Sequence, residues 1–197
     1  EGHLLILNEI DLMDPAELAG LNDVVEGAPP VIAQNGGEVI RPHRKFRVIA
    51  TGNSAGAGDS TGLYQGVLRQ NLAFLDRFRV LQVQYPDPES ELSLLDQLVP
   101  DLPTEIARKL IVVANEVRRL FLGEPGSEIA NGGELTLTLS TRTLVRWARL
   151  TVTFKGAPNP LAYALEQALT ARAAAEERTA IHRIAADVLG PLWSGQA

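Results

Sequence analysis

Two apolar runs, each followed by polar residues, organise the first part of the chain. Leu4–Leu7 is continuously apolar and stops at Asn8 and Glu9, and the largely apolar run Phe46–Thr51 leads to Asn53. Short continuous apolar runs are typical of parallel strands that are covered on both faces. Because ligands bind beyond the carboxyl ends of such strands, the polar residues that follow both runs indicate a ligand crevice.

Local signals predict the elements around these runs. Asp14 before Pro15 has the pattern of a capped helix start, in which proline occupies the first helical position. Val31–Arg41 contains Asn-Gly between short apolar runs and is predicted to form a β-hairpin. Helical spacing predicts a helix over 67–75, and alternation predicts a further strand over Phe78–Val83.

The second part of the chain is predicted to be mainly helical. Pro86 and Pro88 indicate a boundary, so that residues 1–86 and 87–197 are expected to form separate domains. Glu124–Gly133 is expected to be a loop and Glu134–Leu139 a short strand. The spacing of apolar residues predicts helices over 89–98, 104–121, 140–150, 160–172 and 178–189.

Composition narrows the possible functions. The 197 residues carry a net charge of −6, which disfavours non-specific binding to nucleic acid through a basic surface. Absence of cysteine excludes disulfides and thiolate metal sites. No apolar run approaches the roughly 20 residues that span a bilayer, and a cytoplasmic protein is expected. Because the chain opens almost directly in an apolar strand, we expect it to be the rear part of a longer protein.

The quartet Asn8-Glu9-Ile10-Asp11 after the first apolar run has the pattern of a Walker B strand end. There a carboxylate holds Mg²⁺, and the glutamate that follows it orients or deprotonates the attacking water. Asn8 stands where an aspartate is usual, so a neutral oxygen replaces a charge and weaker metal retention is expected. The alternative is a buried strand that runs into an acidic turn.

The loop Gly52–Gly66 contains five glycines but does not have the sequence of a phosphate-binding P-loop. It has no lysine before a serine or threonine, and Asp59 would repel phosphate. We interpret it as a loop whose glycines allow unusual backbone angles. Since no Gly-x-x-x-x-Gly-Lys-Ser/Thr occurs in the 197 residues, we predict that this chain alone does not hydrolyse ATP.

Taken together, these segments resemble the MoxR-type AAA+ ATPases. Within that family they are most similar to the branch with the cobaltochelatase small subunit and the activator ATPases of Rubisco and nitric oxide reductase. The resemblance covers nearly the whole chain and begins at the Walker B-like quartet; it includes Gly58–Gly66, Leu75–Phe78 and Leu139–Thr143. It implies an α/β fold: the C-terminal half of an αβα P-loop NTPase core, followed by an α-helical lid with a short strand pair.

The resemblance also implies roles for individual residues. Glu9 would be the catalytic Walker B glutamate, and Asn8 would contact Mg²⁺ indirectly. Asn53 would be sensor 1, which hydrogen-bonds the attacking water or the γ-phosphate. Arg77 would be an arginine finger supplied to the ATP of a neighbouring subunit, because a guanidinium stays charged and matches phosphate oxygens. Arg142 would be sensor 2, which reaches the γ-phosphate from the lid.

Each of these assignments has a structural alternative. Asn53 would also suit a polar cap at a strand end, Arg77 an ion pair with Asp76, and Arg142 a solvated helix arginine. The Val31–Arg41 hairpin corresponds to the pre-sensor hairpin that faces the ring pore or the partner, or is a plain surface hairpin. Two other arginines are rival candidates for the finger: Arg69 and Arg79.

The function implied by the resemblance is hydrolysis of Mg-ATP by a homo-oligomeric, hexameric ring. Its partner would carry a von Willebrand A-type domain, and the outcome would be remodelling, activation or insertion of a metal centre. A non-catalytic AAA+ scaffold is the alternative, favoured by Asn8. A DNA-acting motor is a third possibility, which the acidic balance disfavours.

Overall fold

The structure is a computed structural model that describes residues 2–54, 56–58, 66–123 and 135–194. It divides into two compact units, residues 1–82 and 83–197, close to the boundary predicted after residue 86. Among the described residues, no helix is both long and apolar enough to cross a membrane. The loop predicted over 124–133, residue Glu134 and the part of the glycine loop over 59–65 lie outside the described residues.

The first unit is built on a pair of parallel strands. β1 (Leu4–Leu7) pairs with β4 (Arg47–Ala50), although the two are far apart in sequence. The register aligns the first and last residues of both strands, so their carboxyl ends meet at one edge. The other elements are a 3₁₀ turn at Ile10–Leu12, α1 (Pro15–Ala19), α2 (Asn22–Glu26), β2 (Val31–Ile32), β3 (Glu38–Val39) and α3 (Leu72–Leu75).

Local chemistry forms the predicted helix start and the predicted hairpin. Asp14 caps α1, since its carboxylate accepts a hydrogen bond from the amide of Ala16 at 2.7 Å, and Pro15 occupies the first helical position. β2 and β3 pair antiparallel as predicted. Their connection needs Gly36 and Gly37, which have φ of 68° and 78°, a region that favours glycine.

Among the described residues, the packed core lies against one face of the strand pair, in contrast to the expectation of two covered faces. Leu7 and Ala50 pack on a small core of Ile10, Leu18 and Phe74. The opposite face carries Leu4, Ile6 and Ile49, which are each about half exposed. The reason is that the 3₁₀ turn, α1 and α3 provide the packed core residues from one side.

The strand predicted over Phe78–Val83 does not form. Residues 79–87 have no regular secondary structure, and Leu81 is 87% exposed. A strand requires a neighbour to pair its backbone groups, and no described strand pairs with this segment. The helix predicted over 67–75 is limited to α3, because Asn71 caps it by accepting from the amide of Ala73 at 2.8 Å.

The second unit contains five α-helices among the described residues, close to the predicted ranges. They are α4 (Pro88–Leu98), α5 (Thr104–Phe121), α6 (Thr141–Thr153), α7 (Pro160–Ala168) and α8 (Ala175–Leu189). Their apolar faces form one large core. Trp147 is fully buried in it, and its indole Nε1 donates to the Leu161 carbonyl at 3.0 Å.

The short strand predicted at Glu134–Leu139 is absent over its described residues 135–139. Leu135 is buried as the alternation predicts, but the backbone pairs differently. The amides of Thr136 and Leu137 donate to the Glu177 carboxylate at 2.6 and 2.7 Å, and this carboxylate replaces a partner strand.

His182 on α8 lies in a half-buried site. Its Nε2 is 2.8 Å from the Thr170 hydroxyl, and its ring meets the Trp193 ring edge-on at 5.5 Å. Burial is the main cause that lowers the pKa of His182 below its ordinary value; the charge of Arg178 acts in the same direction, and Glu166 opposes it.

Candidate functional site

Thr51 joins the carboxyl-terminal tips of β1 and β4. Its amide donates to the Leu7 carbonyl, and its own carbonyl accepts from the amide of Ile10, both at 2.9 Å. Its hydroxyl accepts from the amide of Glu9 at 3.1 Å. The tip that carries Glu9 and the tip that leads to Asn53 are therefore tied together at one edge of the strand pair.

Glu9 has an unusual backbone conformation. With φ of 54° and ψ of 50°, it is the only non-glycine residue at positive φ among the residues that the structure describes. Such a conformation costs on the order of 1–3 kcal/mol and is concentrated at functional sites. The Glu9 side chain is exposed, so its carboxylate is accessible to a ligand or a water molecule.

Asn8 is also exposed and offers a neutral oxygen at the same edge. Its Oδ1 is 3.5 Å from the Thr51 hydroxyl, a contact too long to occupy it strongly. An amide oxygen suits Mg²⁺, which takes oxygen ligands and keeps several waters. Over the described ranges, no group of three or more His, Cys, Asp or Glu residues could hold a metal, so a metal here would depend on Asn8, water and a bound phosphate.

Asp11 is a site residue to which the sequence analysis assigned no role. It is fully buried, and its Oδ2 accepts from the amides of Asn53 and Ser54 at 2.6 and 3.0 Å. Gly52 allows this close approach, since a Cβ at that position would lie 3.3 Å from the carboxylate. Asp11 thus fixes the backbone that carries Asn53, whose side chain remains exposed. The only sequence signal was a carboxylate two residues after Glu9.

Arg77 is partly engaged within its own unit. Its Nε lies 2.6 Å from a Glu26 carboxylate oxygen, and its Nη1 donates to the Ala73 carbonyl. The contact with Glu26 is an ion pair between two partly exposed side chains. The acidic partner is therefore Glu26 rather than Asp76, which the structural alternative named. The Arg77 side chain is 26% exposed, and the rival candidate Arg79 is exposed.

Arg142 lies at the start of α6 in the second unit. Ser140 caps this helix, since its hydroxyl accepts from the amide of Thr143 at 3.2 Å. Arg142 is exposed and lines a groove, and no described acidic residue forms an ion pair with it. The groove between α4 and α6 is lined by Leu94, Leu98, Thr141, Arg142, Val145, Arg146, Arg149 and Leu150. This lining combines apolar side chains with three arginines, and such a composition suits an anionic ligand with an apolar part.

The structure thus brings Asn8, Glu9 and Asn53 to one edge of the first unit. Arg77 lies in the same unit, just after α3, and Arg142 belongs to the second unit. A parallel strand pair followed along the chain by a helical unit matches the α/β core and helical lid that the resemblance implies.

Comparison with known proteins agrees with this class. Residues 91–188 match the model of the CbbQ/NirQ/NorQ C-terminal family. The aerobic cobaltochelatase subunit CobS of Sinorhizobium sp is 30% identical over 149 residues, which cover 73% of this chain and 42% of CobS. The chain belongs to the MoxR-type AAA+ family, and its helical unit is a CbbQ/NirQ/NorQ C-terminal domain.

Two much larger proteins are also similar. Midasin of Dictyostelium discoideum is 30% identical over 75% of this chain and 2% of its own length. The von Willebrand factor A domain-containing protein 8 of Mus musculus is 28% identical over 73% of this chain and 7% of its own length. The chain therefore spans less than half the length of each of these curated relatives.

Proposed function

We propose that this chain supplies the hydrolytic edge and the lid of a AAA+ protein that hydrolyses Mg-ATP. The observation that carries the proposal is the junction of the β1 and β4 tips through Thr51, with Glu9 and Asn53 beyond them. In parallel sheets this edge is where ligands bind. Family membership supports the same assignment.

Each residue has a role that its chemistry suits. The exposed Glu9 carboxylate orients or deprotonates the attacking water, and the Asn53 amide hydrogen-bonds that water or the γ-phosphate. Arg142 neutralises phosphate charge from the lid. Mg²⁺, when bound, neutralises charge on the phosphates, and Asn8 would hold it through its amide oxygen or a water molecule.

Arg77 is proposed as the arginine finger for a neighbouring subunit. Its pair with Glu26 does not prevent this, because both side chains are partly exposed, at 26% and 48%. Ion pairs of this kind contribute about 0–1 kcal/mol, so Arg77 can exchange Glu26 for a phosphate at small cost. A finger supplied by another subunit is typically worth about 10³–10⁵ in rate.

Substitutions in the full-length protein test these roles. Glu9→Gln is expected to abolish hydrolysis while ATP binding remains, and Glu17→Gln, an exposed glutamate on α1, is the matched control. Mixing Arg77→Ala subunits with Glu9→Gln subunits is expected to restore part of the activity, because each supplies what the other lacks. A Glu9→Gln protein with the parental ATPase rate would refute the proposal.

The 197-residue chain alone is expected not to turn over ATP, since it contains no Gly-x-x-x-x-Gly-Lys-Ser/Thr to cradle the phosphates. Isothermal titration should therefore show no micromolar affinity for Mg-ATP, and such affinity would contradict the assignment.

We further propose that the full-length protein forms a cytoplasmic hexameric ring, acts in a chaperone-like manner and engages a partner with a von Willebrand A-type domain. Remodelling, activation or metal-centre insertion would be the outcome.

A non-catalytic AAA+ scaffold is the second candidate, and Asn8 is the observation that favours it. A neutral amide in place of the metal-binding carboxylate removes a charge interaction of roughly 1–4 kcal/mol at about 4 Å. An intact Walker A sequence in the full-length gene would favour the enzyme, and a degenerate one the scaffold. Asn8→Asp in the full-length protein should raise the ATPase rate if a metal contact has been weakened.

A further inference from the structure

A buried ion pair lies behind the start of α6. Glu91 on α4 is fully buried, and Arg118 on α5 is 3% exposed. The guanidinium donates to both carboxylate oxygens, with Nη1 at 2.8 Å from Oε2 and Nη2 at 2.7 Å from Oε1. This two-point geometry fixes the plane and the direction of both groups.

The same pair binds the backbone and side chain on either side of the α6 cap. Arg118 Nε donates to the Leu139 carbonyl at 2.7 Å, and the Thr141 hydroxyl donates to Glu91 Oε1 at 2.7 Å. Ser140 lies between these two anchored residues and is the N-cap itself. Hydrogen bonds to charged groups therefore hold the start of α6, immediately before Arg142, against α4 and α5.

Tyr85 extends this arrangement to the segment that leads into the second unit. The Arg118 guanidinium carbon lies 4.2 Å from the centre of the Tyr85 ring, within the range of a cation–π contact. The Tyr85 hydroxyl is 3.1 Å from the hydroxyl of Thr138, just before the anchored residues. Tyr85 thus contacts both the ion pair and the approach to α6.

Stability alone does not explain a polar group of this kind in a helical core. Well-packed apolar residues of similar volume are often as stabilising as a buried ion pair, or more so. Apolar residues would not bind the Leu139 carbonyl and the Thr141 hydroxyl in fixed directions. The ion pair therefore fixes the orientation of the start of α6, the helix that carries Arg142.

We propose that Tyr85, Arg118, Glu91 and Thr141 form a positioning network for Arg142. The network holds the first turn of α6 so that the Arg142 guanidinium is presented at a fixed place for the nucleotide. This rests on the proposed function of Arg142; the four residues act through it. Because Tyr85 belongs to the segment that joins the two units along the chain, displacement of this segment would be transmitted to the start of α6.

A double-mutant cycle on the full-length ATPase tests the proposal. Thr141→Val removes the hydroxyl that binds Glu91 and leaves the ion pair in place. We expect it to lower kcat on the order of tenfold, a typical size for coupled neighbours, and to have no further effect in an Arg142→Ala background. Thr153→Val is the matched control on the same helix, because its hydroxyl bonds only the Arg149 carbonyl at 2.9 Å among the described residues.

The outcomes distinguish failure of the nucleotide role of Arg142 from failure of the positioning network. If Arg142→Ala leaves kcat and KM unchanged, the nucleotide role of Arg142 is wrong, and the positioning proposal falls with it. If Arg142→Ala impairs hydrolysis but Thr141→Val has no effect, or lowers kcat equally in both backgrounds, the network supports only the fold. Tyr85→Phe removes one hydroxyl and keeps the ring on Arg118. A second double-mutant cycle, with Tyr85→Phe and Arg142→Ala, should therefore show a smaller fall in kcat that is again absent in the Arg142→Ala background. Tryptophan fluorescence melts confirm that each variant is folded.

Discussion

Removing the buried carboxylate of Glu91 tests how strongly the helical unit depends on its ion pair with Arg118. Glu91→Ala would leave the guanidinium, only 3% exposed, without its counter-charge. It would also remove the acceptor of the Thr141 hydroxyl. Breaking a buried pair from one side typically costs about 3–5 kcal/mol, because an uncompensated charge remains in the interior.

This loss is a large part of the total stability of a domain, which is about 5–15 kcal/mol. For a unit that spans residues 83–197, it corresponds to a fall in Tm of roughly 10–25 °C. Both tryptophans, Trp147 and Trp193, lie in this unit, so tryptophan fluorescence during urea unfolding reports on it selectively. The free energy of unfolding is obtained by linear extrapolation for each variant.

The matched control is Glu89→Ala on the same helix. Glu89 pairs with Arg108 at 2.9 Å, but both side chains are more than half exposed, and such pairs contribute about 0–1 kcal/mol. The reasoning would be refuted if Glu91→Ala cost less than about 1 kcal/mol, or no more than Glu89→Ala. Glu91→Leu is informative as well, because a cost as large as that of alanine would show that packing volume is not the cause.

Three further predictions concern other parts of the chain. Burial lowers the pKa of His182, so the folded state binds a proton at this site more weakly than the unfolded chain does. The free energy of unfolding should therefore fall as the pH drops below about 6.5. His182→Gln should flatten this pH dependence in urea titrations at several pH values. Asp11→Ala should leave the amides of Asn53 and Ser54 without their acceptor, at a cost of about 1–3 kcal/mol, and hydrogen exchange at both should accelerate. Trp147→Phe should also cost about 1–3 kcal/mol in thermal unfolding, because it leaves a buried carbonyl unpaired; an unchanged Tm would contradict this.

Features that depend on neighbouring residues were predictable from the sequence. Asp14 and Pro15 specify the start of α1 within three residues, and Gly36 and Gly37 specify the hairpin turn. Apolar spacing gave the helices of the second unit because one large core buries their apolar faces. The two apolar runs predicted as parallel strands form β1 and β4, but the packed core residues cover one of their faces rather than two.

Features that depend on distant partners were not predictable. Glu91 and Arg118 lie on apolar helix faces, and nothing in either helix alone shows that they meet 27 residues apart. Asp11 was assigned no role of its own, because its role depends on the return of the loop after β4. The alternation in Phe78–Val83 predicted a strand. Alternation shows which side chains would share a face, but it does not show whether a neighbouring strand is present to pair the backbone groups.

The half-exposed side chains of Leu4, Ile6 and Ile49 have a practical consequence for studies of assembly. Because the described residues leave this apolar sheet face half exposed, copies of the purified chain are expected to associate through it in dilute buffer. A high apparent mass of the purified 197-residue chain would therefore be explained by this association as readily as by a ring. Mild non-ionic detergent should reduce the apparent mass of copies that associate through the apolar face. The apparent mass of a ring of the full-length protein should change with added nucleotide instead.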